Sequence, residues 1–291
     1  MNHSITFFKV NLSPVKTFSF LIVLVLSIFF NSSAYSADKQ MQRLMSGAYR
    51  NNLEKVKKAL ENGADINGYT SEKSKNTPLI VATRKNHIDI VFYLLKKGAD
   101  VNKGNKNKKT PLYYAARSGN VLLVRALIKK GARRNPVDKN GFTPLRIAII
   151  KNKPRVFKYL IHPEKINKKL IINRFTPLEY AIYKKHLESV KELIRLGANI
   201  NQKRSNKTPL IRAVRKGDLK LVKILINAGA DANLEDLRGK TAFDHAAIYQ
   251  KKKILLYLAR KYKYPHNMIK DIENNHYYYG SKRKKVILWF Y

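Results

Sequence analysis

Few residues of this 291-residue chain are placed to do chemistry. The absence of cysteine excludes a cysteine nucleophile, a thiolate zinc site and a disulfide. Gly239-Lys240-Thr241 resembles the end of a phosphate-binding loop, but Leu234 stands where that loop needs its first glycine. Asp244 and His245 are adjacent in one predicted helix, so their side chains do not face each other. The other histidines are scattered, and no serine-hydrolase, metalloprotease or dinucleotide motif occurs. The sequence predicts neither an enzyme nor a bound metal or cofactor.

The remaining reactive side chains are mainly basic. Lys and Arg number 59 against 19 Asp and Glu, a formal net charge of +40. Such a chain attracts acidic surfaces and polyanions, most strongly at low salt. Lys, Asn and Ile are all abundant, so drift in an AT-rich genome is the competing explanation of the charge. Hydrophobic residues make up 44%, which is enough to build a packed core.

Residues 1–36 have the order of a secretory signal peptide. Two lysines precede an apolar run from Phe18 to Phe30, and small residues follow at Ala34 and Ser36. The apolar run has 13 residues, whereas a membrane-spanning helix needs about 20. We therefore expect cleavage after Ser36 and a periplasmic or secreted protein. The alternative is an uncleaved signal that anchors the chain in the membrane.

The strongest pattern is an internal repeat. A Thr-Pro-Leu triplet begins at 77, 110, 143, 176 and 208, and a degenerate copy begins at 241. The steps are 33 residues, except for one of 32. Thr is suited to cap a helix and Pro to take its first position. An apolar stripe then marks a second helix, which ends at a Gly-Ala pair such as Gly98-Ala99. Neither helix can bury its apolar face alone, so the units must stack.

On these residues the chain resembles the ankyrin-repeat family, whose 33-residue period and Thr-Pro-Leu-His-x-Ala pattern it nearly matches. The resemblance implies an all-α ankyrin-repeat solenoid of about seven stacked helix-turn-helix units. It also implies a β-hairpin finger at each junction between units, and a concave face formed by the fingers and the first helices. The predicted ankyrin domain covers residues 37–264, with an N-terminal cap at 41–67, internal repeats starting near 77, 110, 143, 176 and 208, and a C-terminal cap near 241–264.

Two features depart from the family pattern. The His that normally follows Thr-Pro-Leu, and that helps to tie ankyrin units together, is replaced in every copy. We therefore expect a less rigid array. The unit that begins at Thr143 has His162-Pro163-Glu164 in place of its Gly-Ala pair, which predicts an irregular segment near residues 162–172. A hinge or a special contact there is the alternative.

The resemblance also assigns a candidate binding face. In ankyrins the seventh and eighth positions after the repeat Thr face the concave side, and here seven of those twelve residues are basic and none is acidic. The candidate partner-binding residues at these positions are Arg84, Lys85, Arg117, Lys151, Tyr183, Lys184, Arg215 and Lys216. The candidates in the fingers are Lys106, Lys108, Lys139, Arg174 and Arg204. The competing interpretation is that lysine solvates every face of this basic chain.

Residues 265–291 form a basic and aromatic tail outside the repeats. Its last six residues, Val286 to Tyr291, are wholly apolar or aromatic. We expect the tail to fold back over the last repeat, because an exposed patch of this kind promotes aggregation. Docking to a membrane surface or to a partner are the alternatives.

These observations predict a macromolecular binding scaffold without a small-molecule substrate or cofactor. The expected partner is another protein with an acidic surface, and a secreted bacterial effector is one form that such a scaffold takes. The alternative is a polyanion binder that takes nucleic acid, an anionic membrane surface or an acidic glycan.

Overall fold

The computed structural model describes residues 36–161, 166–167, 175–203 and 207–274. The predicted signal peptide therefore lies outside the described residues, apart from Ser36. The chain divides into two compact units, Met1–Ala99 and Asp100–Tyr291. Within the described ranges, none of the helices combines the length and apolarity that a membrane crossing requires.

From residue 36 onward, the first unit contains two pairs of helices. Its helices are α1 (residues 36–50), α2 (Leu53–Glu61), α3 (Pro78–Lys85) and α4 (Ile88–Lys96). Leu44, Val56 and Leu94 are fully buried between them. His87 precedes α4, and its Nδ1 lies 2.9 Å from the carbonyl oxygen of Ala48 on α1. This contact joins the two pairs through a side chain that the sequence places at the start of the second helix of a pair.

In its described residues, the second unit contains five pairs of α-helices and one further α-helix. The first helices of the pairs, here called the inner helices, are α5 (Pro111–Ser118), α7 (Pro144–Ile150), α9 (Pro177–Tyr183), α11 (Pro209–Arg215) and α13 (Ala242–Ile248). The second or outer helices are α6 (Val121–Lys129), α8 (Phe157–Leu160), α10 (Leu187–Arg195), α12 (Leu219–Asn227) and α14 (Lys252–Lys261). The further helix is α15 (His266–Glu273). Successive inner helices pack side by side, as do successive outer helices, so this unit has two helical layers.

The repeat signals act locally as expected. All six repeat threonines cap the first helix of a pair, which is α3 or one of the inner helices. Each hydroxyl accepts the backbone N–H three residues later at 3.2–3.4 Å. Proline occupies the first turn of five of these helices. Gly98, which follows α4, has a φ of +86°, a conformation that glycine enters at little cost. The predicted threonine caps and the glycine stop at Gly98 are therefore confirmed.

Asparagine side chains join successive repeats in the second unit. Asn102 Oδ1 accepts the backbone N–H of Arg133 at 2.9 Å, and its Nδ2 donates to the carbonyl oxygen of Gly131 at 3.1 Å. Asn201 accepts the N–H of Asp231 in the same way at 3.0 Å. These bonds satisfy backbone groups just beyond each outer helix, where helical partners run out.

The outer helix of the unit that starts at Thr143 is irregular. A 3-10 turn, Pro154–Val156, precedes α8, which ends at Leu160 after four residues, whereas α6, α10 and α12 each have nine. Lys153 stands at the cap position without a side-chain cap, and Pro154 opens the tighter turn. The irregularity thus begins before residues 162–172, most of which lie outside the described residues. Whether this segment is a hinge stays a prediction.

The fingers differ from the predicted hairpins. Across the described part of the chain they are tight turns, not paired β-strands. Asn105, Asp138 and Asp236 each accept, through one side-chain oxygen, the backbone N–H groups two and four residues later at 2.7–3.1 Å. These bonds use the N–H groups that a longer hairpin would pair across its strands, so the turn closes at once.

The first part of the tail is helical. α15 packs on α14 and buries Ile272. Glu273 ties the two helices, because its carboxylate lies 2.6 Å from a guanidinium nitrogen of Arg260 and its carbonyl oxygen accepts from Lys252 Nζ at 2.7 Å. α15 thus packs on the last repeat, whereas the expectation that the apolar end of the tail folds back over that repeat stays a prediction. Residues 275–291 lie outside the described residues.

Candidate functional site

The C-terminal ends of the inner helices in the second unit carry six of the thirteen predicted binding residues. This set, here called the inner-end surface, consists of Arg117, Ile150, Lys151, Tyr183, Lys184, Arg215, Lys216, Ile248 and Tyr249. All except Ile150 are exposed. Cations are favoured at these positions because the last carbonyl groups of a helix carry partial negative charge.

The other predicted residues lie in three places. Arg84 and Lys85 end α3 in the first unit, where Lys85 Nζ lies 4.0 Å from the ring centroid of Tyr49 and its hydrogen bond lowers the pKa of the Tyr49 hydroxyl. The finger residues Lys106, Lys108 and Lys139 are all exposed in the second unit. Their two turns meet, since the backbone N–H of Lys139 donates to the carbonyl oxygen of Asn107 at 3.0 Å. Arg174 and Arg204 lie outside the described residues.

The inner-end surface contains a cleft between α9, α11 and α13. The cleft has a volume of about 340 Å³, and we call it the cationic cleft. Its lining consists of Phe175, Glu179, Ile182, Tyr183, Lys207, Arg212, Arg215, Lys216 and Tyr249. Four of these nine side chains are cationic and one is anionic, so the cleft has the electrostatics of a site for an anionic group.

Aromatic rings hold the cations of the cleft in place. Lys216 Nζ lies 4.2 Å from the ring centroid of Tyr183, and Arg215 Cζ lies 5.1 Å from that of Tyr249. Arg212 Cζ lies 5.6 Å from the ring of Phe175. Each contact joins neighbouring repeats, and contacts of this type contribute about 0.5–1 kcal/mol when exposed. The contacts therefore favour conformations in which Arg212, Arg215 and Lys216 lie against the rings of the cleft.

Glu179 occupies one of the positions where the family has His. Its carboxylate accepts the backbone N–H of Thr176 at 2.8 Å, which completes a capping box on α9. The other oxygen lies 3.3 Å from Arg212 Nε on α11, and the Glu179 side chain is only 2% exposed. A buried ion pair thus ties neighbouring repeats where the usual His is missing.

Arg146 fills the same position one repeat earlier. It is 3% exposed, its guanidinium stacks on Phe142 at 4.0 Å, and it donates to the carbonyl oxygen of Gly141 at 3.3 Å. Burial lowers the pKa of Arg146. Arg146 therefore joins α7 to the finger that precedes it. Whether the loss of the usual His makes the array less rigid stays a prediction.

Lys207 adds charge that the cleft does not fully compensate. Burial lowers the pKa of its ammonium group, and the positive charges of Arg215 and Arg212 lower it further. A negative charge placed in the cleft would offset both effects, because it stabilises the protonated amine.

Tyr249 is supported on the finger side of the cleft. The ring of His245 stacks on it with centroids 5.8 Å apart and an interplanar angle of 13°. His245 Nε2 lies 2.9 Å from Asp236 Oδ2. Burial alone would raise the pKa of Asp236, but hydrogen bonds from the backbone N–H of Arg238, from His245 and from the backbone N–H of Lys240 lower it overall. Asp244 instead caps its own helix through Thr241, so Asp244 and His245 point to different partners, as expected.

Sequence reasoning did not assign Phe175, Arg212 or Glu179 to the site. The one available signal was an aromatic residue directly before the repeat Thr, at both Phe142 and Phe175. Each of these rings faces an arginine, 4.0 Å and 5.6 Å away respectively. Among the residues that the structure describes, no group of His, Asp and Glu is arranged to hold a metal ion.

Comparisons with known proteins agree with this architecture. A family model described as ankyrin repeats (3 copies) matches residues 22–105, 44–138, 101–170, 134–204 and 178–271. The Arf-GAP with coiled-coil, ANK repeat and PH domain-containing protein 2 of Oryctolagus cuniculus is 38% identical over 77 residues, which is 26% of this chain and 10% of that protein. The Homo sapiens protein of the same name gives the same values. The chain thus spans about a tenth of these relatives.

Two solved structures share the fold. The human ASB11 ankyrin repeat domain superposes with a TM-score of 0.59 at 26% identity, over 72% of this chain and 95% of that chain. The ankyrin repeat domain of Bcl-3 gives a TM-score of 0.61 at 24% identity, over 73% and 97% respectively. Ankyrin repeats are in general non-catalytic scaffolds that bind other proteins. Because the family model covers most of the sequence and the helical pairs follow its period, this chain belongs to the ankyrin-repeat family.

Proposed function

We propose that this protein is a scaffold that binds an acidic surface of another protein through its inner-end surface and fingers. The observation that carries the proposal is the run of exposed cations at successive inner-helix ends, Arg117, Lys151, Lys184, Arg215 and Lys216. A surface of one charge sign speeds encounter with an oppositely charged partner and favours it over others.

The placement of the acids supports the same proposal. The sequence places three acids in the fingers, Asp138, Glu235 and Asp236. Asp138 and Asp236 turn their carboxylates inward to backbone N–H groups of their own turns, whereas Glu235 is exposed. Asp138 is 5% exposed and the neighbouring Lys139 is exposed, so this finger presents its lysine outward and not its acid.

Export is part of the proposal. Residues 1–36 combine a basic start, a 13-residue apolar run and small residues before the expected cleavage point. An exported scaffold would meet its partner outside the cytoplasm. Mass measurement of the exported chain tests this, since cleavage after Ser36 gives a mature N-terminus at Ala37, while an uncleaved anchor leaves Met1 in place.

The binding test compares two variants with the same change in charge. The test variant combines Arg117→Glu, Lys151→Glu and Lys184→Glu at inner-helix ends. The control variant combines Arg125→Glu, Lys129→Glu and Lys220→Glu, which are exposed residues of the outer helices α6 and α12. Each full chain is immobilised and exposed to lysate at about 150 mM and about 500 mM salt, because screening weakens exposed charge contacts.

We expect defined proteins to remain bound to the parent and to the control variant, and to be lost from the test variant. Mass spectrometry identifies them, and titration with the purified partner measures the loss in affinity. Equal loss from both variants would mean that charge alone attracts the ligands. Retention only of nucleic acid or lipid, released at the higher salt, would replace the proposal with a polyanion binder.

A further inference from the structure

We propose that the cationic cleft is the anchoring pocket for two neighbouring carboxylates in an acidic peptide segment of the partner. The inference rests on the proposed function for the class of partner, and it adds the place and chemistry of the contact. It concerns Lys207, Arg212, Arg215 and Lys216 in the second unit.

The charge balance of the lining sets the number of anionic groups. Glu179 pairs with Arg212, so its charge is already matched within the cleft. Lys207, Arg215 and Lys216 face the same space, and the lining contains no second acid among the residues that the structure describes. One carboxylate would leave most of this charge uncompensated, whereas two adjacent ones come close to balancing it. Asp or Glu residues close together in a peptide supply that arrangement.

The aromatic rings favour an anion over an apolar ligand. The rings of Tyr183, Tyr249 and Phe175 each have a cation at 4.2–5.6 Å from their centroid. A ligand that enters therefore meets guanidinium and ammonium N–H groups instead of free ring faces. Because the ring contacts restrict these three side chains, binding costs less conformational entropy than it would on unrestricted cations.

Size and burial favour a peptide segment over a folded surface. A volume of about 340 Å³ lies at the lower end of pockets that enclose small groups. Glu179, at 2% exposure, is buried in the lining, so a ligand must insert side chains to reach the level of Arg212. Burial and the charges of Arg215 and Arg212 lower the pKa of Lys207, which agrees with a site for an anion.

The test uses fluorescence anisotropy with the full chain and defined probes. The probe is a fluorescein-labelled hexapeptide, Gly-Ser-Glu-Glu-Ser-Gly, and its controls carry Gln-Gln or Glu-Gln at the centre. We expect the Glu-Glu peptide to bind about tenfold more tightly than the Gln-Gln peptide, with the mixed peptide between them, because hydrogen bonds to charged groups are the stronger ones.

Variants assign the binding to the cleft. Arg215→Gln and Lys207→Gln should each weaken the Glu-Glu peptide by about tenfold. Lys220→Gln, which removes an exposed cation from the outer helix α12, should leave its affinity unchanged. Lys207→Arg keeps the charge and should bind nearly as the parent does. Circular dichroism confirms that each variant is folded.

A second readout does not depend on affinity. Lysines labelled by reductive ¹³C-methylation titrate individually in NMR spectra, and the signal lost in Lys207→Arg identifies Lys207. Saturating Glu-Glu peptide should raise the pKa of Lys207, while the Gln-Gln peptide should not.

Three results would overturn the inference: equal binding of the Glu-Glu and Gln-Gln peptides, equal weakening by Lys220→Gln and Arg215→Gln, or tighter binding of hexathymidylate than of the Glu-Glu peptide. The last would assign the cleft to phosphate. A failure of the scaffold proposal can be distinguished from a failure of this inference. The scaffold test variant changes Arg117, Lys151 and Lys184, and none of these residues lines the cleft.

Discussion

Replacement of Glu179 by glutamine should lower the stability of the second unit and raise its affinity for anions. The substitution preserves the size of the side chain and removes one negative charge. Glutamine can still accept the backbone N–H of Thr176, which Glu179 accepts at 2.8 Å. It cannot pair as an ion with Arg212, whose Nε lies 3.3 Å from the carboxylate. The two consequences should have opposite signs.

The loss of stability follows from these two contacts. A hydrogen bond to a charged group contributes about 1 kcal/mol more than a neutral one, and this difference is lost at Thr176. Breaking a fully buried ion pair costs about 3–5 kcal/mol, but the Arg212 side chain is 20% exposed and keeps its stack on Phe175, so about 1 kcal/mol is expected here. The total is about 2 kcal/mol, a change of about 30-fold in the unfolding equilibrium constant.

Affinity should change in the other direction. Glu179 is the one acid among the described residues of the lining, so its removal raises the positive charge of the cationic cleft. At an effective dielectric between that of protein and water, one unit charge several ångströms from the ligand contributes about 0.7 kcal/mol, or about threefold in affinity for the Glu-Glu peptide.

The assay combines urea unfolding, followed by circular dichroism at 222 nm, with anisotropy of the labelled peptide. Glu188→Gln is the matched control, because Glu188 is 65% exposed and its ion pair, with Lys191, lies on the surface of α10. It should shift neither the urea midpoint nor the affinity, since exposed pairs contribute little. The reasoning is refuted if both variants unfold at the parent midpoint, or if Glu179→Gln weakens the peptide while the protein remains folded.

Three further changes test the packing, the caps and the finger. Phe157→Ala should lower the free energy of unfolding by about 3–5 kcal/mol, because Phe157 is 0% exposed, whereas Phe92→Ala, at a side chain 47% exposed, should have little effect; urea titration measures both. Thr208→Ala removes the cap on α11 and should cost about 1 kcal/mol, with Thr208→Ser restoring most of it. Because folding lowers the pKa of Asp236, its contribution is present above the ordinary aspartate pKa of about 3.9 and is lost as the pH falls through the lower folded value. Asp236→Asn should therefore lower the melting temperature at pH 7 and flatten its dependence on pH between about 5 and 2; an unchanged pH profile would contradict this.

The sequence alone was sufficient for the elements whose causes are local. A Thr side chain caps the helix that begins one residue later, and Pro and Gly constrain the φ angle at their own positions. These signals recur every 33 residues, so the helical pairs, their boundaries and the family could be predicted. The basic character of the inner-helix ends was also predictable, because it depends on residue types at fixed positions of the repeat.

The predictions were less accurate where a local signal competes with another. The sequence did not indicate that the finger residues Asp138 and Asp236 bond to their own backbone. These bonds shorten the predicted hairpins to turns. Pro154 was not recognised as the start of a 3-10 turn, so the outer helix there is shorter than its period implies. α15 was not predicted, because residues 265–291 were interpreted from their composition and not from helix signals.

Only the tertiary structure decided which side chains meet. Glu179 pairs with Arg212 and Lys216 stacks on Tyr183, and each pair is separated by 33 residues in the sequence. Such contacts depend on the rotation and spacing of stacked helices, and no local rule specifies these to within the few ångströms that an ion pair requires. The sequence determined that the helix ends are basic, whereas stacking of α9, α11 and α13 gathered those cations and three aromatic rings into one cleft.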